Sequence, residues 1–224
     1  MPVTTLHQFI SQYPVRGTDS RMILGTIHPH QVEPFGLDFF YGNTSSLWKI
    51  MGAAFLHLDF NTKESIIQVL HDNNIWITDM IMQCDRSHAH VTQDSQLNNL
   101  QLNTEAIYNG IVNSQIDTIY FTSRFGKNSA CKLFVDAFKI HYKATFNDVT
   151  NEFIIPANKF GRKIKGVVLY SPSGQSNIGV SKSPSFLNVR HLYPLRSSVK
   201  KFKVDFYRDK FSFLNDYRAS LQAC

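Results

Sequence analysis

Cysteine is scarce in this chain. Cys84, Cys131 and Cys224 are the only three, widely spaced and odd in number, which argues against a disulfide framework. None stands in the Cys-x-x-Cys pairing that holds zinc or an iron–sulfur cluster. Long apolar runs are missing too: nothing approaches the roughly 18 residues that a membrane span needs. The opening stretch, MPVTTLHQFISQYP, lacks the basic start and apolar block of a secretory signal. No Pro/Gly/Ser linker, repeat or block of charge divides the sequence. The expectation from these absences is a soluble, intracellular protein (cytoplasmic, with access to nucleoid or nucleus) folded as a single domain over residues 1–224.

What the chain does have is core-forming material and positive charge. Hydrophobic residues make up 43% and aromatics 13% of its 224 residues, enough to bury a proper core at this length. The net charge of +6 and pI near 9.2 favour a polyanionic partner, since Lys and Arg contacts to phosphate are the usual route to nucleic acid. Lys200, Lys201 and Lys203 with Arg190 and Arg196 are candidates for such a track, and a solvated basic surface fits the same letters.

Four short apolar runs bounded by turn or polar signals read as strands buried on both faces of a parallel sheet: residues 22–27, 75–82, 118–121 and 166–170. Helical spacing falls between them, at 45–56, 62–71, 104–112 and 128–142, and a last amphipathic stretch covers 204–221. Alternation of this kind predicts βαβ units and an α/β fold, a three-layer α/β/α sandwich around a central four-stranded parallel sheet. Ligands of such sheets bind beyond the carboxyl ends of the strands. That directs attention to residues 25–30 and 171–177.

Five segments resemble, in order, the uracil-DNA glycosylase superfamily, particularly its mismatch-specific and hypoxanthine-acting branches. ILGTIHPH (23–30) is similar to the first motif, a strand ending in Gly followed by a short polar element and Pro. FFYGNTSSLWKIM (39–51) resembles the aromatic–Gly–Asn segment that follows it. NIWITDMIMQCDRSHAHVTQDSQL (74–97) carries an Asp, then Cys-x-Arg and a later Asp-Ser at about the family's spacing. IDTIYFTSRFGKNSACKLF (116–134) looks like the third strand, glycine turn and helix, and VVLYSPSGQSN (167–177) like the closing loop.

The resemblance implies a monofunctional glycosylase that excises a deaminated base, uracil or hypoxanthine, from DNA. Such an enzyme takes its target base out of the stack into a tight pocket. Its partner would be DNA with a damaged or deaminated base; a monomer with no metal and no organic cofactor is expected. His28 takes the place of the usual motif-one acid or amide, and Asn43 belongs to the Tyr-Gly-Asn segment; these two are the catalytic candidates. Gly25, Thr26, Phe40, Tyr41 and Ser171 are the substrate-binding candidates, with either Tyr41 or Phe40 stacking on the base. His30, Ser173, Gly174, Gln175 and Asn177 are the DNA-binding candidates, Gln175, Ser176 or Asn177 being the element pushed into the duplex. Asp79 and the Cys84-x-Arg86 segment are assigned structural roles. His88 and His90 suggest metal by spacing alone, a weak signal, and are not read as metal ligands. Two alternatives remain open: a non-catalytic nucleic-acid-binding homologue, and an α/β enzyme acting on free nucleosides or nucleotides.

Overall fold

A computed structural model of the protein describes residues 1–30, 35–43, 46–193 and 198–216. Its first strand, β1 (Val3–Leu6), leads into β2 (Arg21–Gly25), followed by helices α1 (Ser46–Ala54) and α2 (Lys63–Asp72). Strands β3 (Ile75–Asp79), β4 (Ile81–Arg86) and β5 (Asn98–Leu102) precede α3 (Thr104–Val112) and β6 (Thr118–Phe121). Then come α4 (Ala130–Ala137), β7 (Glu152–Ile155), α5 (Ala157–Phe160) and β8 (Ile164–Val168), and the chain continues through α6 (Asn177–Val180), α7 (Pro184–Val189) and α8 (Ser198–Lys210).

The main sheet has the order β3-β2-β6-β8-β7. Its first four strands are parallel, as the apolar runs predict, and β7 adds an antiparallel edge against β8. Strand alternation divides the core. Ile23, Ile77, Tyr120 and Val167 pack with Leu47, Trp48 and Met51 of α1, Ile66, Val69 and Leu70 of α2, and Phe202, Phe206 and Tyr207 of α8. Met22, Leu24, Ile119, Phe121 and Val168 face the other way, against Ile107 and Ile111 of α3, Cys131 and Phe134 of α4 and Phe160 of α5. Helices therefore cover both faces, and each fully buried large side chain contributes roughly 1.5–3 kcal/mol.

The apolar run at 75–82 is not one strand but two. After Asp79 the chain leaves the parallel sheet and enters a separate three-stranded antiparallel sheet, β1-β4-β5, in which Val3–Leu6 pairs with β4. Sequence reading misses this sheet because β5 is polar and largely exposed and β1 has only one buried side chain. Ile81, Cys84 and Leu97 nonetheless join the cluster of Met22 and Leu24, so the two sheets share a core.

Helix limits differ from the periodicity where local backbone chemistry intervenes. Thr62 caps α2 in a reciprocal capping box with Ser65. The helix expected over 128–142 is shorter, bracketed by left-handed Asn128 (φ 59°) and Lys139 (φ 51°). The last helix starts earlier than its apolar spacing indicates, at Ser198, and ends at Lys210; Tyr217 and Leu221 of the expected stretch lie outside the described residues. Among the described residues no helix is long and apolar enough to cross a membrane.

Candidate active site

The carboxyl ends of the four parallel strands converge on one cleft of about 420 Å³. Its floor follows from strand register. Gly25 ends β2 directly opposite Asp79, the last residue of β3, and the Asp79 carboxyl crosses over Gly25. A Cβ on Gly25 would lie 2.0 Å from Asp79 Oδ1 and 2.3 Å from the Tyr41 hydroxyl. Only glycine leaves those two oxygens room.

Asp79 is buried, at 4% exposure. Its Oδ2 accepts a 2.7 Å hydrogen bond from His7 Nε2. His7 Nδ1 accepts from the backbone N–H groups of Phe9 and Ile10, which fixes the proton on Nε2, facing the carboxyl. The other oxygen, Oδ1, is buried without a hydrogen-bond partner among the described residues. A buried carboxyl oxygen left unpaired costs stability, and Asp79 is one of the residues that line the cleft.

A second carboxyl, Asp94, lines the same cleft. Its Oδ2 accepts from Thr26 Oγ1 at 3.0 Å, and Thr26 Oγ1 lies 3.4 Å from Ser123 Oγ. Burial pushes its pKa up to about 6, with neighbouring Asp79 adding to the rise. The two acids thus sit in different settings, one gripped by a histidine and one held by the Thr26 hydroxyl.

The wall opposite comes from a tight turn. Leu37 N–H donates to Gly42 O and Gly42 N–H to Phe39 O. A Cβ at Gly42 would fall 1.8 Å from Leu37 O. The turn holds Tyr41 in the left-handed region, φ 59°, an uncommon conformation for a bulky residue that clusters at functional sites. Its hydroxyl donates to Thr122 Oγ1 at 2.6 Å, and burial raises its pKa well above the ordinary tyrosine value. The rim is completed by Ser171, Pro172, Ser173 and Gly174 after β8, and by Asn43, which is exposed.

No family model, curated protein or solved structure matches this chain.

Most of the residues singled out in the sequence meet here. Thr26, His28, Tyr41, Asn43, Ser171, Ser173 and Gly174 all line the cleft, and Gly25 forms its floor. Others do not. Phe40 is a core residue, 1% exposed, packed against His7, Phe9, Tyr13 and Phe39, so Tyr41 is the aromatic of the wall. His30 turns toward the second sheet, its Nδ1 3.2 Å from Thr5 Oγ1. Asn177 Oδ1 accepts from Lys203 Nζ at 3.0 Å, an internal tie. The Gln175 side chain lies outside the described residues.

His28 occupies the site but its ring is committed elsewhere. Nε2 accepts from Gln8 N–H at 3.1 Å, which leaves Nδ1 to donate to Pro29 O at 2.7 Å. Burial lowers its pKa. With both nitrogens engaged by backbone, the ring is neutral and holds the β2 exit loop, aided by buried Arg86, whose Nη2 donates to His28 O at 2.8 Å. Lys203, counted in the sequence with the surface lysines, is buried.

Sequence reasoning missed Asp94 and His7 as site residues and gave Asp79 a purely structural role. An acid ending a buried parallel strand was the available signal for Asp79. His7 had none, since it reaches Asp79 across 72 residues of sequence.

Proposed function

We propose that this cleft hydrolyses the N-glycosidic bond of a deaminated base, uracil or hypoxanthine, in DNA, on a fold similar to that of the uracil-DNA glycosylase superfamily. One observation carries the reading. All sixteen described residues that line the cleft come from the five segments on which the resemblance rests: Thr26 to Pro29 from the first, Tyr41, Asn43 and Ser46 from the second, Asp79, Thr92 and Asp94 from the third, Thr122 and Ser123 from the fourth, and Ser171 to Gly174 from the fifth. Segments that resembled the family only as isolated strings have a common location.

The chemistry suits the groups present. Breaking the bond from sugar to base builds positive charge on the sugar and negative charge on the departing base. Asp79 Oδ1, aimed by His7, serves as base toward water and as electrostatic partner of the sugar cation. Asp94, half-protonated near pH 6, donates a proton to the departing base; two acids in contrasting environments divide the acid and base roles. Tyr41 walls the base, and Asn43 reads its edge. No lysine is among the described residues lining the cleft, which suits water as the nucleophile without a Schiff-base step. This moves the catalytic assignment from His28 to Asp79 and keeps Asn43.

No arginine is among the described residues of the lining, which favours a second reading, a hydrolase of free nucleosides. Labelled oligonucleotides carrying uracil, hypoxanthine or xanthine, assayed beside the free nucleosides, separate the two. Base release from DNA with salt-steep binding supports the glycosylase; release from nucleosides alone supports the second reading. Tight DNA binding with no release at any pH would leave only a non-catalytic binding module.

A further inference from the structure

Lys203 lies outside the cleft and yet is tied to it. It sits on the inward face of α8 beside Phe202, Phe206 and Tyr207, at 3% exposure. Its ammonium meets no carboxylate within salt-bridge distance among the described residues. Instead Nζ donates to Ser173 O at 2.9 Å, Ser176 Oγ at 2.8 Å and Asn177 Oδ1 at 3.0 Å. Those acceptors span the segment that forms the cleft's rim and runs into α6. Ser176 Oγ in turn donates to Ser171 O and Ser173 O, both at 2.8 Å, so the lysine holds a network that reaches back to the end of β8. One helical turn further on, the Tyr207 hydroxyl donates to Tyr170 O at 2.8 Å.

A buried ammonium is costly, and an apolar residue would fill this helix position more cheaply. Met or Leu would pack against the same phenyl rings but would remove the three hydrogen bonds that tie α8 to the rim. The charge is therefore explained by what it holds rather than by the core it sits in.

We propose that Lys203 is a positioning residue, a cationic clamp that fixes residues 171–177 in the shape that receives the nucleic-acid strand. Burial brings its pKa down to about 8, which leaves it a cation at neutral pH. Each of its three donors has a partner, so it acts through the rim and does not itself contact the ligand. Part of the inference, the order of the rim, stands on geometry alone; its consequence for binding rests on the reading of the cleft as a DNA site.

Hydrogen exchange on the full chain tests the first part. In Lys203→Met, the amides of residues 173–178 are expected to exchange about tenfold faster or more, while β2, β6 and β8 keep wild-type protection. Ser176→Ala removes one acceptor of the lysine, together with the hydroxyl's own bonds to Ser171 O and Ser173 O, at the partly exposed rim without touching the core. It should give the same local acceleration to a smaller degree, and it carries the test if Lys203→Met does not fold. Oligonucleotide kinetics test the second part. KM should rise about tenfold in Lys203→Met with kcat within about twofold, because substrate binding must then order the rim, and Lys203→Arg should recover most of the loss. Unchanged rim protection in a folded Lys203→Met, or in Ser176→Ala should Lys203→Met not fold, would overturn the clamp. A rim that loosens as expected while kcat falls and KM holds would overturn its role in binding. If the wild type excises no base and binds no DNA, the glycosylase reading falls, and hydrogen exchange still decides the clamp.

Discussion

Asp79 is the residue on which the proposed chemistry turns, and its setting explains why so many neighbours are constrained. Gly25 must be glycine to admit its carboxyl, His7 must offer an N–H to its Oδ2, and Tyr41 must accept a left-handed backbone to bring its hydroxyl alongside. Gly25→Ala is expected to cost about 1–3 kcal/mol through overpacking and to suppress base release, measurable as a lower denaturation midpoint together with a lower excision rate. His28→Gln should behave in the opposite way: it loses backbone hydrogen bonds and stability but retains most excision activity. A variant of normal stability with no activity would return His28 to the catalytic role. Asp94 supplies a pH signature. Its folded pKa is raised, so excision that needs its proton should fall as pH rises beyond about 6, and Asp94→Asn should flatten that limb. The same shift has a stability consequence. Between about pH 4 and 6 the native state keeps a proton that the unfolded chain has lost, so this group's contribution to stability declines as pH rises. Asp94→Asn should therefore stabilise the protein by about 1–2 kcal/mol at pH 8 and by almost nothing below about pH 4, as denaturant titrations at the two pH values would reveal.

Elements with a continuous apolar signature were legible in the sequence; those defined by their partners were not. Thr118–Phe121 and Thr104–Val112 have the limits that their periodicity predicts, and the four parallel strands pair as expected. The break after Asp79 was hidden because Met80 and Ile81 are as apolar and as buried as the strand before them; only β1 arriving as a partner decides that Ile81–Arg86 belongs to another sheet. The site was legible to the extent that it lies on strand ends. Thr26 and Ser171–Gly174 follow from topology and Tyr41 and Asn43 only from the resemblance of their segment, whereas the chemical state of His28 depends on a backbone N–H contributed by Gln8, which no motif announces. In the proposed reading, Ile178 joins the candidates for the inserted element. Ser176 Oγ and Asn177 Oδ1 both accept from Lys203, while Ile178 on α6 stands 73% exposed beside them. Ile178→Ala is expected to weaken excision from duplex DNA about tenfold and to leave single-stranded substrate nearly unaffected, since an apolar wedge matters only where a stack must be opened. Equal losses on both substrates would remove Ile178 from that role.

At the scale of the molecule, a chain of net charge +6 has two carboxyls and no lysine or arginine among the described residues that line the cleft. Positive charge elsewhere on the surface suits attraction of a polyanion, while the acids in the cleft suit a cationic transition state. DNA binding should accordingly weaken steeply with salt, whereas the single-turnover rate of bound substrate should change little. The most direct measurement is single-turnover release of uracil and hypoxanthine from labelled oligonucleotides by the wild type, Asp79→Asn and His28→Gln, with saturating protein at pH 6. The expected result is release by the wild type, a loss of about a hundredfold to ten-thousandfold in Asp79→Asn with DNA binding preserved, and near-normal release by His28→Gln. Full activity in Asp79→Asn, or no release of either base by the wild type, would contradict it.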